Sequence, residues 1–174
     1  MADLWKEDLR TLKERILSAG RNNAPIALWD EFCEGNIGEW NLDESKEIVV
    51  RVWELAEWPE DELTREEWLA LFNASHYEKP AETLTIYRGC TPERIHRMAW
   101  TTDLEKARWF ATRELLWAPE AAVFRAVIPP VGVLCMVDVE VDDNGRSENE
   151  IVVDPSFLDE IEQIDSALAG LNQR

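Results

Sequence analysis

The spacing of apolar residues changes near residue 80, and this change limits the folds that the chain can adopt. Before it, Leu, Trp, Ile and Val recur every three or four residues, which places them on one side of an α-helix. After it, short runs rich in β-branched residues are separated by Pro, Gly and Asn, which is typical of strands joined by turns. The sequence therefore predicts an α+β protein. A helical N-terminal layer, residues 1–80, packs on a β-rich core, residues 81–174.

Four helices are predicted in the first region. The first two span residues 4–20 and 26–33. The third begins at a cap formed by Ser45 and ends before Pro59, and the fourth begins at a capping box of Thr64 and Glu67. No repeat, low-complexity stretch or catalytic motif occurs between residues 1 and 78. The functional residues are therefore expected in the second region.

Five strands are predicted in the second region, over residues 84–87, 98–101, 122–128, 132–139 and 150–153. A helix follows the second strand, with Thr102 and Glu105 as its predicted capping box. The spacing of Leu158, Ile161, Ile164, Leu168 and Leu171 predicts a final helix, although Ile161 and Ile164 also fit an extended segment. The strands are expected to form a compact unit that is mainly antiparallel.

The charge of the chain limits its partners. It has 18 basic and 36 acidic residues, a formal net charge of −18. Such a chain repels phosphates, so direct binding to nucleic acid is not expected. The same charge fits either high solubility or binding to a basic partner.

The cysteines and the hydropathy indicate the compartment. Cys33, Cys90 and Cys135 are widely spaced and odd in number, which favours reduced thiols over a disulfide framework or a zinc site. No stretch approaches the roughly 20 apolar residues of a membrane span, and the N-terminus lacks the apolar centre of a signal peptide. We expect a cytoplasmic protein with no metal and no contact with a membrane.

Three short segments in the second region carry polar groups at strand ends. Arg88 and Gly89 follow the first strand, Thr101 and Thr102 stand where the second strand meets a helix, and Glu148 and Glu150 begin the last strand. An arginine beside a glycine suits a phosphate, and a hydroxyl at a helix start suits a ribose or an anion. Two carboxylates two residues apart in a strand share one face at roughly 6.6 Å.

Each segment also has an ordinary structural interpretation. Arg88 could form a salt bridge with one of the acidic residues, and Thr102 could simply be a helix N-cap. Glu148 and Glu150 could be the solvated entrance of a strand. Cys90, next to Arg88 and Gly89, is interpreted as a packed thiol. The functional interpretation depends on all three segments occurring together, in order, on strands of one domain.

In that arrangement the chain resembles the ADP-ribosyltransferase superfamily, in its Arg–Ser–Glu branch. The counterparts of the family motifs are Tyr87-Arg88-Gly89, Trp100-Thr101-Thr102 and Glu148-Asn149-Glu150, within residues 82–155. The stretch from Trp100 to Ala111 is similar to that of small phage and bacterial members. The chain departs from the family in having no serine in the hydroxyl motif, where threonine adds a methyl group and restricts χ1.

The resemblance implies an NAD⁺ cleft between two small sheets, a split-sheet core. Arg88 would hold a phosphate of NAD⁺ and the Gly89 backbone would meet the nicotinamide amide. Thr101 or Thr102 would support the nicotinamide ribose. Glu150 would bind the ribose 2′-hydroxyl, and Glu148 would orient or deprotonate an acceptor. An aromatic ring would stack on nicotinamide, for which the candidates are Trp100, Trp109 and Phe110.

The activity implied is mono-ADP-ribosyl transfer from NAD⁺, the co-substrate, to a protein acceptor, with arginine as one candidate side chain. The acceptor would be a host protein if a phage encodes the chain. Breaking the nicotinamide–ribose bond creates an oxocarbenium-like cation, as in glycoside cleavage, and a carboxylate stabilises that cation without a metal. Two alternatives stay open: NAD⁺ glycohydrolysis, with water as the acceptor, and a non-catalytic acidic protein that blocks a basic partner.

Overall fold

The computed structural model describes residues 12–37, 42–137 and 149–166. The chain divides into two compact units, Met1–Tyr77 and Glu78–Arg174. The first consists of helices and the second contains a sheet and a helix, so the α+β class is confirmed. Within the described ranges, no helix combines the length and the apolar character needed to cross a bilayer.

The described residues of the first unit form five helices. They are α1 (residues 12–18), α2 (Ala24–Cys33), α3 (Leu42–Leu55), α4 (Pro59–Glu62) and α5 (Arg65–Ala74). Three aromatic rings form the centre of the unit, since Trp53 contacts both Trp68 at 4.9 Å and Phe72 at 5.4 Å between centroids. All three rings are buried, at 2% exposure or less, and rings of this size bury much apolar area.

The helix limits confirm part of the sequence prediction. Gly20, at φ 84°, follows α1 as the predicted stop, and the earlier part of that helix lies outside the described residues. The capping box at α5 is confirmed: Thr64 accepts from the Glu67 amide, and the Glu67 carboxylate accepts from the Thr64 amide. The predicted cap at Ser45 is wrong, because α3 begins at Leu42. The Ser45 hydroxyl is buried and donates to the Ile37 carbonyl, so it is satisfied inside the helix.

The second unit is built on an antiparallel sheet. Its strands are β1 (Leu84–Cys90), β2 (Ala99–Thr101), β3 (Ala122–Ile128), β4 (Val133–Val137), β5 (Glu150–Val153) and β6 (Glu162–Ser166). Their spatial order is β4-β5-β2-β1-β3-β6. One helix, α6 (Leu104–Glu114), follows β2. Arg88, Thr101 and Glu150 therefore belong to three neighbouring strands, β1, β2 and β5.

The prediction of a final helix is wrong for residues 162–166, which form β6 and pair with β3. The spacing of Ile161 and Ile164 fits both structures, and the backbone groups along the open side of β3 decide between them. The rest of that predicted helix, residues 167–174, lies outside the described residues. So does the end of the fourth predicted strand, residues 138–139.

The expected division into two small sheets is not observed, because in the described residues the pairing runs through all six strands. The weakest junction is between β1 and β2, which share one register pair in the described residues, Tyr87 with Thr101. By contrast, β1 pairs with β3 along its whole length, from Leu84 to Cys90. The sheet is therefore continuous but narrowly joined next to the candidate site.

The two faces of the sheet are covered differently. One face carries a large apolar cluster that includes Ile86, Trp100, Phe124 and Ile151. The other face is covered by α6, whose small residues Ala107 and Ala111 pack with Val123 and Tyr87. Because side chains alternate along a strand, neighbouring residues of one segment lie on opposite faces. This alternation decides which candidate residues come together.

Candidate functional site

Thr101 and Glu150 lie directly opposite each other on β2 and β5. Tyr87 on β1 is in register with Thr101 on its other side. Residues that are directly opposite in a sheet share a face, so these three side chains form one row across three strands. They stand on the face that α6 covers, since Tyr87 packs against the α6 alanines. The structure thus brings the hydroxyl segment and the second glutamate together.

The Thr101–Glu150 pair is of the close type. The next backbone contact along the strands is a hydrogen bond from the Thr102 amide to the Asn149 carbonyl, at 3.3 Å. Antiparallel pairs alternate between hydrogen-bonded and non-hydrogen-bonded, and in the second type the Cα atoms are only about 4.5 Å apart. The side chains of Thr101 and Glu150 therefore start from neighbouring backbone positions and point to the same face of the sheet.

The junction between β2 and α6 is fixed by side-chain hydrogen bonds to the backbone. Thr101 is only 5% exposed, and its hydroxyl accepts from the Asp103 amide at 3.1 Å. The Asp103 carboxylate accepts from the amides of Glu105 and Lys106, at 2.8 and 3.3 Å. The predicted capping box of Thr102 and Glu105 is therefore wrong: Asp103 is the N-cap, because its carboxylate also interacts well with the positive end of the helix.

This capping changes what the helix start can bind. The amides that could hold a phosphate are engaged by the Asp103 carboxylate, which also places a negative charge there. An anion is therefore disfavoured at the start of α6. Thr102 is exposed and is not the cap. Its hydroxyl is better placed than that of Thr101 to contact a ligand, whereas Thr101 shapes the turn.

Arg88 lies inside β1 and not at a strand end, because β1 continues to Cys90. It is next to Tyr87, so it points to the opposite face from Thr101 and Glu150, the face with Trp100. Its guanidinium donates to the Ala99 carbonyl across the narrow β1–β2 junction. The buried Nε atom has no hydrogen-bond partner among the described residues. The structure therefore places Arg88 close to the other candidates along the sheet, but on the opposite face.

Cys90 is buried on the same face as Arg88. Burial raises the pKa of the Cys90 thiol, and the neighbouring Arg88 guanidinium opposes this shift without reversing it. A thiol with a raised pKa stays protonated at neutral pH and is a poor nucleophile. The interpretation of Cys90 as a packed thiol is confirmed.

Glu148 lies outside the described residues. Asn149, which precedes Glu150, has a φ of 44°, in the left-handed region. The strand β5 begins only at Glu150. The expectation that Glu148 and Glu150 share a face of one strand therefore stays a prediction, since only Glu150 belongs to the described part of the chain. Asparagine adopts this conformation more readily than most residues.

The three aromatic candidates differ in exposure. Trp100 is only 2% exposed, and its indole donates to the Arg97 carbonyl at 3.0 Å, so it is a core residue. Trp109 is 45% exposed and carries the Arg113 guanidinium 4.8 Å from its ring centroid. Phe110 is partly buried and meets Trp109 edge-to-face at 5.0 Å. Trp109 is therefore the most exposed of the three candidates, whereas Trp100 contributes to packing.

Gly89 lies under α6, so closely that a Cβ atom would overlap the Ala107 carbonyl oxygen. Packing against α6 therefore requires a glycine at this position of the Tyr-Arg-Gly segment, whether or not a ligand binds there. Its predicted backbone contact with nicotinamide stays a prediction. Sequence reasoning missed this packing, as it missed the conformation of Asn149 and the cap at Asp103, although Asp and Asn at these places are recognisable signals.

The chain matches no protein-family model, and no curated protein or solved structure is significantly similar to it. Among the described residues, no group of three or more His, Cys, Asp or Glu side chains could hold a metal ion. Functional assignment therefore depends on the chemistry of the row formed by Thr101 and Glu150 and on the arginine beside it.

Proposed function

We propose that the protein is a mono-ADP-ribosyltransferase, which cleaves NAD⁺ between nicotinamide and ribose and transfers ADP-ribose to a protein. The observation that supports this most is the direct pairing of Thr101 with Glu150, on a strand next to the one that bears Arg88. The order arginine strand, hydroxyl strand and glutamate strand is the one that the resemblance to the family implies. The same resemblance is the source of each role described below.

Glu150 has the central role in this proposal. Its carboxylate accepts a hydrogen bond from the ribose 2′-hydroxyl and faces the anomeric carbon, C1′. As the C1′–N bond breaks, its electron pair goes to the nicotinamide ring, which leaves as a neutral molecule, and positive charge develops on the ribose. A fixed carboxylate stabilises this charge more in the transition state than in the ground state, which accelerates the reaction.

The acceptor side chain then forms the new bond to C1′ and loses a proton. Glu148 is the proposed base or orienting group for this step, and water in place of the side chain would give hydrolysis. Thr102, exposed next to the Thr101–Glu150 pair, is the proposed hydroxyl contact of the ribose. Arg88 lies on the opposite face of the sheet from Glu150, so its contact with a phosphate of the same NAD⁺ molecule is the part of the proposal that needs its own test.

The first test uses NAD⁺ that is labelled in its adenylate phosphate, incubated with the purified protein and a bacterial lysate. We expect a protein in the lysate to become labelled. The label should stay attached when that protein is denatured, and it should be released by conditions that cleave the bond between ADP-ribose and a side chain. Free labelled ADP-ribose without labelled protein would instead show a glycohydrolase. If NAD⁺ stays intact, the enzymatic proposal is wrong, and the acidic binding protein becomes the better hypothesis.

An Arg88→Lys variant tests the phosphate contact. Lysine keeps the charge but loses the forked donor geometry and the bond to the Ala99 carbonyl, so we expect the KM for NAD⁺ to rise about tenfold. Steady-state kinetics with NAD⁺ measure this effect. Arg125→Lys is the matched control, because Arg125 lies on β3, is exposed and pairs with Glu162. Equal KM values for both variants would contradict a role of Arg88 in binding.

A further inference from the structure

Asn149 has an unusual backbone conformation directly before the proposed catalytic glutamate. Among the described residues other than glycine, it shares a positive φ only with His76, at 44° and 49°. Left-handed backbone costs most residues free energy, and asparagine tolerates it better than others. The conformation stands at the first position outside β5, where it determines how the chain enters the strand.

The carbonyl of Asn149 is held by the neighbouring strand segment. The Thr102 amide donates to it at 3.3 Å. Thr102 in turn stands between Thr101, whose hydroxyl accepts from the Asp103 amide, and Asp103, which caps α6. The start of β5 is therefore connected by hydrogen bonds to a turn that side chains already hold in place. The connection fixes the peptide group immediately before Glu150.

The position of this turn decides which face Glu150 occupies. Glu150 is in register with Thr101 on one side and with Val137 on the other. A slip of one residue would move every side chain of β5 to the opposite face. It would expose the buried Ile151 and direct Glu150 towards the apolar cluster. An extended conformation at residue 149 would let β5 begin earlier in the chain, whereas a left-handed conformation makes it begin at Glu150.

We infer that Asn149 is a positioning residue: its left-handed backbone and its bond to the Thr102 amide end β5 at Glu150 and keep that carboxylate beside Thr101. The inference rests on the proposed function for the role of Glu150 in catalysis. It adds a requirement that the motif itself does not state, namely that the residue between the two glutamates must adopt a positive φ. Glycine meets this requirement, and a β-branched residue does not.

The test compares Asn149→Gly with Asn149→Val in the full chain. We expect valine to lower kcat for NAD⁺ cleavage about tenfold or more, because a small displacement of a catalytic group is costly, while KM changes little. Glycine should stay within about threefold of the parent, since it keeps the backbone conformation. His76→Val is the matched control: it imposes the same conformational conflict in the other unit and should lower the melting temperature without lowering kcat.

A second readout separates this inference from the proposed function. Hydrogen exchange of the Thr102 amide reports its bond to Asn149 whether or not the protein cleaves NAD⁺. We expect the valine variant to lose protection of that amide and the glycine variant to keep it. If the parent does not cleave NAD⁺ but this pattern is found, the proposed function fails and the positioning of Glu150 stands. Unchanged protection and unchanged kcat in the valine variant would overturn the inference.

Discussion

A Glu150→Gln variant is expected to lose at least about a hundredfold in kcat for NAD⁺ cleavage, while it keeps the parent's fold. Glutamine has nearly the same shape as glutamate, so the register of Glu150 with Thr101 and Val137 should survive. The substitution removes the negative charge that faces the developing cation. Since that charge acts mainly in the transition state, the loss should appear in kcat and much less in KM.

The measurement is nicotinamide release at saturating NAD⁺, with circular dichroism to verify the fold. Glu160→Gln is the matched control, because Glu160 is exposed and lies close in sequence to β6, at the opposite edge of the sheet from β4 and β5. It removes the same charge from the same unit and should leave kcat unchanged. Full activity in the Glu150 variant would eliminate the proposed mechanism. Loss of NAD⁺ binding in that variant would instead assign Glu150 to substrate binding.

The fold class and most element positions could be predicted from local sequence. The apolar spacing identified the helical first unit, and the capping box at Thr64 identified the start of α5. The predicted range of β3 was right at both ends, Ala122–Ile128. These features depend on residues close to one another in the chain, so sequence patterns record them directly.

The errors arose where a distant part of the chain decides the structure. Residues 162–166 form a strand because β3 offers backbone partners, and nothing in the local spacing of Ile161 and Ile164 reveals this. Ser45 is not a cap, because its hydroxyl bonds to the carbonyl of Ile37, eight residues earlier in the chain. Tertiary partners override local preference in both cases.

The candidate site could be predicted as a set of residues but not as a geometry. The pairing of Thr101 with Glu150 follows the strand order, which the sequence alone does not give. The position of Arg88 on the other face follows from side-chain alternation once the register is known. The burial of Trp100 in the core could not be predicted either, because an aromatic residue in a strand can pack in the core or contact a ligand equally well.

Gly89 is the position where a single methyl group is expected to cost the most stability. A Cβ atom there would overlap the Ala107 carbonyl oxygen and lie 2.5 Å from the Ala111 nitrogen, both backbone atoms of α6. A helix backbone cannot move aside as a flexible side chain can. Gly89→Ala must therefore displace α6 from β1, and we expect a loss of more than about 3 kcal/mol in the free energy of unfolding.

Gly132→Ala provides the comparison within the same unit. Its added Cβ would meet the Cδ1 atom of Ile128 at 2.7 Å and the Cβ atom of Phe157 at 2.8 Å, which are side-chain atoms and not helix backbone. We expect a smaller loss, of about 1 to 2 kcal/mol, by urea denaturation of both variants. Equal stabilities would show that α6 is not seated on Gly89. A larger loss of stability at Gly89 than at Gly132 would mean that the glycine of the Tyr-Arg-Gly segment is required for packing even without a ligand. Its presence alone therefore does not indicate an NAD⁺ site.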